Sequence, residues 1–171
     1  MTLNSLQEFP ALYSDGEPDQ RKTASYWKVC VITLDDELFA VDLRQVREVF
    51  KLSSVTPVPG MPEHLVGVAN LRGVIVPLAD VRPFLRLPRS VTHHYALIVS
   101  HGLQQVGVLI DDVPEIHTIH ADDLVAPSAH HRTQGASFIS SFFKTDTRPI
   151  GLFEVSRLLA MVEGGTEGGK W

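Results

Sequence analysis

The side chains best suited to chemistry in this chain are imidazole and carboxylate groups that crowd one stretch near its C-terminal third. They are His117, His120, Asp122, Asp123, His130 and His131. Such groups are ligands for zinc and iron. A spacing of i, i+3 brings two ligands together only on a helix, however, and this stretch has the pattern of a strand running into a loop. The pattern favours a polar surface loop. A small metal-binding enzyme or sensor that uses residues 117–131 is the alternative interpretation.

Nucleophilic and nucleotide chemistry have weaker support in the sequence. Cys30 is the only cysteine and lies inside an apolar run, where a thiol behaves as a small hydrophobic group. The chain contains no G-x-S-x-G elbow, no G-x-G-x-x-G loop and no G-x-x-x-x-G-K-[ST] loop. We therefore expect a protein that is not an enzyme, with no catalytic residues, no bound metal and no cofactor.

Composition limits the partners that the chain could have. A net charge of −5 and a pI near 5.9 provide no basic surface field for a nucleic acid backbone. A single cysteine cannot form an intrachain disulfide, which favours a reducing compartment. No apolar run reaches the roughly 18 residues of a membrane span, and the first residues do not resemble a signal peptide. We expect a cytoplasmic protein without direct membrane insertion.

The elements that must position any site are strands. Short runs rich in valine and isoleucine are separated by turn signals and predict four consecutive hairpins, with turns at Asp35-Asp36, Arg72-Gly73, His101-Gly102 and Thr145–Thr147. Several runs are apolar on both faces, as expected of strands in closed barrels rather than in an open sheet. One amphipathic helix is predicted at 154–162. The polar residues 1–25 and the glycine-rich residues 163–171 are expected to be flexible tails.

Two charged residues in these apolar hairpins are candidates for a binding surface. Val46 and Glu48 are two positions apart and are expected to share one face of an extended segment. Arg72 lies beside Gly73 at the turn of the most apolar hairpin. A guanidinium on a rigid turn offers five donors to a partner at a small entropic cost. The proline-rich loop before this hairpin is stiff, so a partner that binds there would also pay a small entropic cost.

These motifs resemble the CheW-like domain family of bacterial chemotaxis. The resemblance is carried by "VITLDDELFAVDL" at 31–43, "VREV" at 46–49, "VTPVPGMP" at 55–62, "GVANLRGVIVPLADVR" at 67–82 and "VGVLIDDVPEI" at 106–116. It covers residues 26–162, which is nearly the whole folded unit. It implies an all-β fold with minor α: two intertwined five-stranded SH3-like barrels plus a C-terminal helix. The first barrel is expected mainly at 27–90 and the second mainly at 93–153.

The resemblance also implies a function: a non-catalytic signalling adaptor that couples chemoreceptors to a CheA-type histidine kinase. The implied partners are the kinase regulatory domain, the cytoplasmic tip of methyl-accepting chemoreceptors and other CheW-like domains, in receptor arrays at the membrane. The implied receptor-binding residues are Val46, Glu48, Asn70, Arg72, Leu97 and Val99. The implied kinase-binding residues are Val55, Thr56, Pro57 and Gly67.

The chain departs from the family pattern in its second half. The strand that usually carries small residues has Ser140, Ser141 and Phe142, and Glu154 replaces the common aspartate before the last helix. These departures favour a specialised member that serves a type IV pilus or another chemosensory-like pathway.

Overall fold

Two β-sheets and one helix make up the fold. The computed structural model describes residues 25–89, 92, 94–127 and 137–164. The strands are β1 Tyr26–Leu34, β2 Glu37–Asp42, β3 Val46–Lys51, β4 Leu65–Leu71, β5 Val74–Ala79, β6 Tyr95–His101, β7 Gln104–Ile110, β8 Glu115–His120, β9 Leu124–Val125, β10 Ile139–Phe143 and β11 Ile150–Phe153. The helix α1 spans Val155–Gly164. Short 3-10 helices lie at Leu43–Gln45, Arg82–Leu85 and Ala121–Asp123.

The four predicted hairpins are confirmed. β1 pairs with β2, β4 with β5, β6 with β7 and β10 with β11, each in antiparallel register. In the first turn Asp35 and Asp36 have φ of +50° and +64°. Positive φ at both central residues is the signature of a type I′ turn, whose twist matches that of the flanking strands.

The two-sided apolar strands are explained by three separate cores. Along β1, Val29 and Val31 pack inside the six-stranded sheet, whereas Cys30 and Ile32 pack in a central core shared by both sheets. A third core fills the inside of the five-stranded sheet. Because successive residues of a strand point to opposite faces, a strand between two cores needs apolar residues at every position. The all-β, paired SH3-like barrel architecture is confirmed.

The sheets divide the chain differently from the expected boundary near residue 90. The five-stranded sheet has the order β3-β6-β7-β5-β4, and the six-stranded sheet has the order β8-β1-β2-β11-β10-β9. The first two strands thus belong with the last four, because β1 pairs with β8 and β2 pairs in parallel with β11. β5 in turn pairs in parallel with β7. These non-local pairings intertwine the two halves.

The C-terminal helix seals the central core. α1 begins at Val155, one residue after the predicted start of 154–162, and extends to Gly164; its buried side chains are Val155, Leu158, Leu159 and Val162. At its end Glu163 accepts a hydrogen bond of 2.7 Å from the Gln104 side chain on β7. Most of the expected tails, 1–24 and 165–171, lie outside the described residues. No helix in the described ranges is both long and apolar enough to cross a membrane.

A buried arginine ties the two sheets together. Arg82 is only 1% exposed. Its Nη1 lies 2.9 Å from Oδ1 of Asp80, and its Nη2 bonds Oδ1 of Asp111. Asp111 follows β7, and its other oxygen accepts a hydrogen bond of 2.6 Å from the backbone N–H of Asp35 in the β1–β2 turn. The network therefore joins a turn of one sheet to the strand ends of the other.

The proline-rich loop is held against the edge of the five-stranded sheet. Thr56 and Val68 exchange two backbone hydrogen bonds of 2.9 Å each. Gly67, with φ of +151°, makes this approach possible, because an added Cβ would lie 2.4 Å from the Thr56 carbonyl oxygen. A register shift between Leu65 and Gly67 marks a bulge in β4 at the same place.

Replacing Arg82 with methionine tests the buried network. Arg82→Met leaves the buried Asp80 carboxylate without its cation, and breaking a buried pair in this way costs about 3–5 kcal/mol of unfolding free energy. Urea denaturation at neutral pH measures the loss. Arg89→Ala is the control, because Arg89 pairs with Glu63 at 2.9 Å on the surface, where a pair contributes about 0–1 kcal/mol. Equal losses in the two variants would show that burial of Arg82 adds nothing.

Adding one methyl group at Gly67 tests how the loop is held. Gly67→Ala places its Cβ against backbone, so we expect a loss of about 1–3 kcal/mol and faster hydrogen exchange at the Thr56 and Val68 amides. Gly102→Ala is the matched control: Gly102 also has positive φ, +61°, but nothing lies within 4 Å of an added Cβ. It should leave exchange at Thr56 and Val68 unchanged. Slow exchange in Gly67→Ala would refute the close-approach explanation.

Candidate functional site

A β-bulge sets the orientation of the two candidate residues on β3. Val46 is opposite Val99, but Glu48 is already opposite Ile98, so Arg47 is the extra residue. Its Nε donates a hydrogen bond of 2.6 Å to the Ser100 hydroxyl. Consequently Val46 packs on the central core. Glu48 comes after the bulge and lies on the same face as Phe50, which packs on the core of the five-stranded sheet. The prediction that Val46 and Glu48 share a face is wrong, because the bulge reverses the alternation between them.

Arg72 lies at the tip of the β4–β5 hairpin on a rigid turn. Arg72 and Gly73 have φ of +54° and +89°, which again indicates a type I′ turn. The Asn70 side chain accepts a hydrogen bond of 2.7 Å from the backbone N–H of Gly73 and braces the turn. Asn70, predicted as a contact residue, therefore also has a structural task.

An ion pair joins the two candidate charges. Arg72 Nη2 lies 3.1 Å from Glu48 Oε2, with side-chain exposures of 80% and 32%. β3 and β4 are the two edges of the five-stranded sheet, so the pair bridges the gap across which that sheet curls into a barrel. A pair this exposed contributes about 0–1 kcal/mol to stability. It places the Arg72 guanidinium beside Glu48 while most of the arginine side chain faces solvent.

Two apolar side chains beside Arg72 extend the site. Val74 is 51% exposed and Ile75 is 60% exposed. The run "VIVPLA", at 74–79, is apolar enough to predict a strand that buries its side chains, but its first two residues are exposed. Ile75 is opposite the exposed Asn70, on the outer face of the hairpin. The apolar character of the run could not show that these two side chains are exposed, because their exposure depends on where the edge of the sheet lies.

Leu97 and Val99 are not available to a partner. Both are fully buried in the central core, and Ala96 and Ile98 between and beside them pack in the core of the five-stranded sheet. β6 lies between β3 and β7, so its backbone is paired on both sides. The prediction that the side chains of Leu97 and Val99 contact a receptor is therefore wrong. These side chains pack in the central core, and their strand β6 pairs with β3.

The second predicted surface forms a compact patch around the loop–β4 bridge. Thr56 and Pro57 are exposed, Val55 is half-buried against the core of the five-stranded sheet, and Gly67 lies buried behind them. The structure thus brings the four residues together. Gly67 acts through its lack of a side chain, and Val58, 41% exposed, adds an apolar neighbour that the sequence motif did not single out.

The histidine-rich stretch does not converge in its described part. His117 and His120 both lie on β8, three residues apart, and so point to opposite faces. His117 Nε2 lies 3.1 Å from Glu115 Oε2, and the His120 Nδ1 accepts a hydrogen bond of 3.1 Å from the Asp122 backbone. His130 and His131 are outside the described residues. Across the described ranges no group of three or more potential ligands could hold a metal ion.

Cys30 lacks the surroundings of a reactive thiol. It is 3% exposed in the central core, and burial raises the pKa of its thiol. A raised pKa lowers the thiolate fraction, and the thiolate is the nucleophilic form. Cys30 is therefore part of the core packing and is not placed as a nucleophile.

Comparison with known proteins identifies the family. The sequence pattern of the CheW-like domain matches residues 28–163. The chain is 27% identical to the chemotaxis protein CheW of Bacillus subtilis over 135 residues, which cover 77% of this chain and 86% of that protein. It is also 28% identical over 100 residues to the protein PilI of Pseudomonas aeruginosa, covering 57% of this chain and 56% of that protein.

A solved structure shows the same fold. The scaffolding protein TtCheW from Thermoanaerobacter tengcongensis superposes with a TM-score of 0.69 at 29% identity, over 76% of this chain and 90% of that one. The match to the family pattern at 28–163 includes strands of both sheets. The interwoven barrels, the NLRG turn with its exposed arginine and these comparisons together show that the chain belongs to the CheW-like domain family.

Proposed function

We propose that this protein is a non-catalytic signalling adaptor that couples the cytoplasmic tip of chemoreceptors to a CheA-type histidine kinase. The observation that carries the proposal is Arg72: an 80% exposed guanidinium on a rigid turn, oriented by Glu48 and flanked by exposed Val74 and Ile75. Membership of a family that includes chemotaxis proteins and a scaffolding protein supports this assignment.

The receptor-facing part of the proposal rests on the physical character of this site. The site suits a helical partner that presents carboxylates, carbonyl groups and apolar side chains. Arg72 can bond the polar groups, because its side chain is 80% exposed beside Glu48, and Val74 and Ile75 can cover apolar ones. The turn is ordered before binding, so little conformational entropy is lost. Val46 contributes by supporting β3 from the central core.

The kinase-facing part of the proposal rests on the loop–β4 patch. Thr56 and Pro57 are exposed on a segment fixed by two backbone bonds to Val68. Prolines limit the freedom of this segment in the unbound state, which lowers the cost of ordering it in a complex. We place the adaptor in the cytoplasm, recruited to receptor arrays where other CheW-like domains also bind.

Removing the guanidinium without disturbing the turn tests the receptor site. In Arg72→Gly the backbone keeps its positive φ at no steric cost, so we expect unfolding free energy to change by less than about 1 kcal/mol. Binding to a soluble chemoreceptor fragment that contains the hairpin tip should weaken about tenfold, as expected from losing one charge-assisted contact. Isothermal titration calorimetry measures the affinity, with fold checked by circular dichroism.

Arg44→Ala is the matched control for this experiment. Arg44 is also 80% exposed and paired with a carboxylate, Asp42, at 2.6 Å. It lies outside the site, so its loss should leave receptor affinity unchanged. If Arg72→Gly binds as tightly as Arg44→Ala, then Arg72 does not anchor the receptor.

An acidic substitution in the loop tests the kinase surface separately. Pro57→Asp should weaken binding to the regulatory domain of a CheA-type kinase at least tenfold, because a charge must be desolvated at the contact. Receptor affinity should not change, and Arg72→Gly should show the reverse pattern. Leu103→Asp, at a fully exposed position in the β6–β7 turn, is the control. Two outcomes would argue against this surface: weaker kinase binding in Leu103→Asp as well as in Pro57→Asp, or unchanged kinase binding in both variants.

A further inference from the structure

A cleft opens at the margin of the central core, away from the Arg72 site. Its volume is about 550 Å³, and it lies between the β2–β11–β10 face of the six-stranded sheet and the segment that follows the 3-10 helix at Arg82–Leu85. Phe39, Ile139 and Leu87 give it apolar walls. We propose that this cleft and the hollow next to it form a docking groove for an extended, acidic and apolar segment of a protein partner.

The neighbouring hollow makes the feature elongated. It measures about 300 Å³ and lies beside the β10–β11 hairpin, against Val125 and Thr147. The two hollows share Phe142, Arg148 and Pro149 as a common wall. We call the pair the two-hollow groove. The shared residues form a ridge between the two hollows, and each hollow has apolar walls. This shape suits a chain segment that places one apolar side chain in each hollow, whereas a compact small molecule would fill one of them.

The charges of the groove indicate an acidic partner. Arg86 borders the larger hollow, Lys144 the smaller one, and Arg148 the ridge between them. Among the described residues that line the two hollows, Glu37 is the only acidic one, and it lies 3.5 Å from Arg148. Three cations and one carboxylate thus line the two hollows of a chain whose net charge is −5. Carboxylates of a partner would find complementary potential here.

The cations differ in what they can offer. Arg148 donates a hydrogen bond of 2.6 Å to the Asp36 carbonyl oxygen, so the ridge is fixed. Among the residues that the structure describes, the side chains of Arg86 and Lys144 have no hydrogen bond or ion pair. Arg86 is held in place by its backbone, which has φ of +59° and closes the 3-10 helix through its N–H. Two uncommitted cations therefore lie one at each hollow.

The spacing of an extended chain gives the expected recognition pattern. Side chains at every second position of an extended segment point the same way, about 6.6 Å apart. One apolar side chain would lie in each hollow, and a carboxylate between them would lie over the ridge. The segment therefore needs the order apolar, acidic, apolar at alternate positions. Further carboxylates at both ends would meet Arg86 and Lys144.

A synthetic probe tests this groove on the full-length protein. The probe is a fluorescein-labelled peptide with the sequence Glu-Ser-Phe-Ser-Glu-Ser-Leu-Ser-Glu, and its control carries Gln in place of every Glu. Fluorescence anisotropy at low ionic strength should show saturable binding of the acidic probe and at least tenfold weaker binding of the Gln probe. Amide signals of Gly151 and Thr147, one beside each hollow, should shift in heteronuclear NMR spectra on titration.

Charge reversals then separate the two hollows. Arg86→Glu and Lys144→Glu should each weaken probe binding about tenfold, while Arg89→Glu, an exposed charge outside the groove, should not. Circular dichroism confirms the fold of each variant. Equal binding of the Glu and Gln probes would overturn the proposal. Sensitivity to Arg86→Glu alone would overturn the extended occupant, because it would show a ligand confined to one hollow.

Discussion

Strands that are apolar at every position impose one requirement on this protein: both of their faces must be covered. A single flat sheet cannot meet it, and neither can two stacked sheets with wet outer faces. Here each sheet curls around its own core and the two then share a third core between them, so that β1 and β6 contribute alternate residues to different cores.

The central core depends on polar as well as apolar contacts. Arg82 is buried between Asp80 and Asp111, and Asp111 also receives the N–H of Asp35. A buried guanidinium is tolerated only with such partners, since desolvating an unpaired charge is costly. The same arrangement fixes the β1–β2 turn of one barrel to the strand ends of the other. Relative movement of the two barrels would break it, which makes the domain a rigid mount for the sites at its edges.

The Arg72 site and the two-hollow groove lie on different sheets of the domain. Arg72 belongs to a hairpin of the five-stranded sheet, and its pairing with Glu48 crosses the open side of that barrel. The two-hollow groove belongs mainly to β2, β10 and β11 of the six-stranded sheet. One surface combines a single oriented cation with exposed aliphatic groups, and the other combines several cations with recessed aromatic walls. A protein that joins partners benefits from such separation, because occupants of the two surfaces need not compete.

Local order was readable from the sequence by itself. The turn residues located all four hairpins, the two-sided apolar runs required closed barrels, and the Leu71–Val74 turn pointed to Arg72. Only the tertiary structure decided which distant segments pair, in what register they pair, and on which face of the sheet each side chain lies. The bulge at Arg47 separates Val46 from Glu48, and parallel pairing of β2 with β11 moves the first hairpin into the sheet of the last. Propensity and turn chemistry act over a few neighbouring residues, whereas register, bulges and burial are set by packing between segments far apart in the chain. For that reason Leu97 and Ile75, both apolar residues in apolar strands, end with opposite exposure.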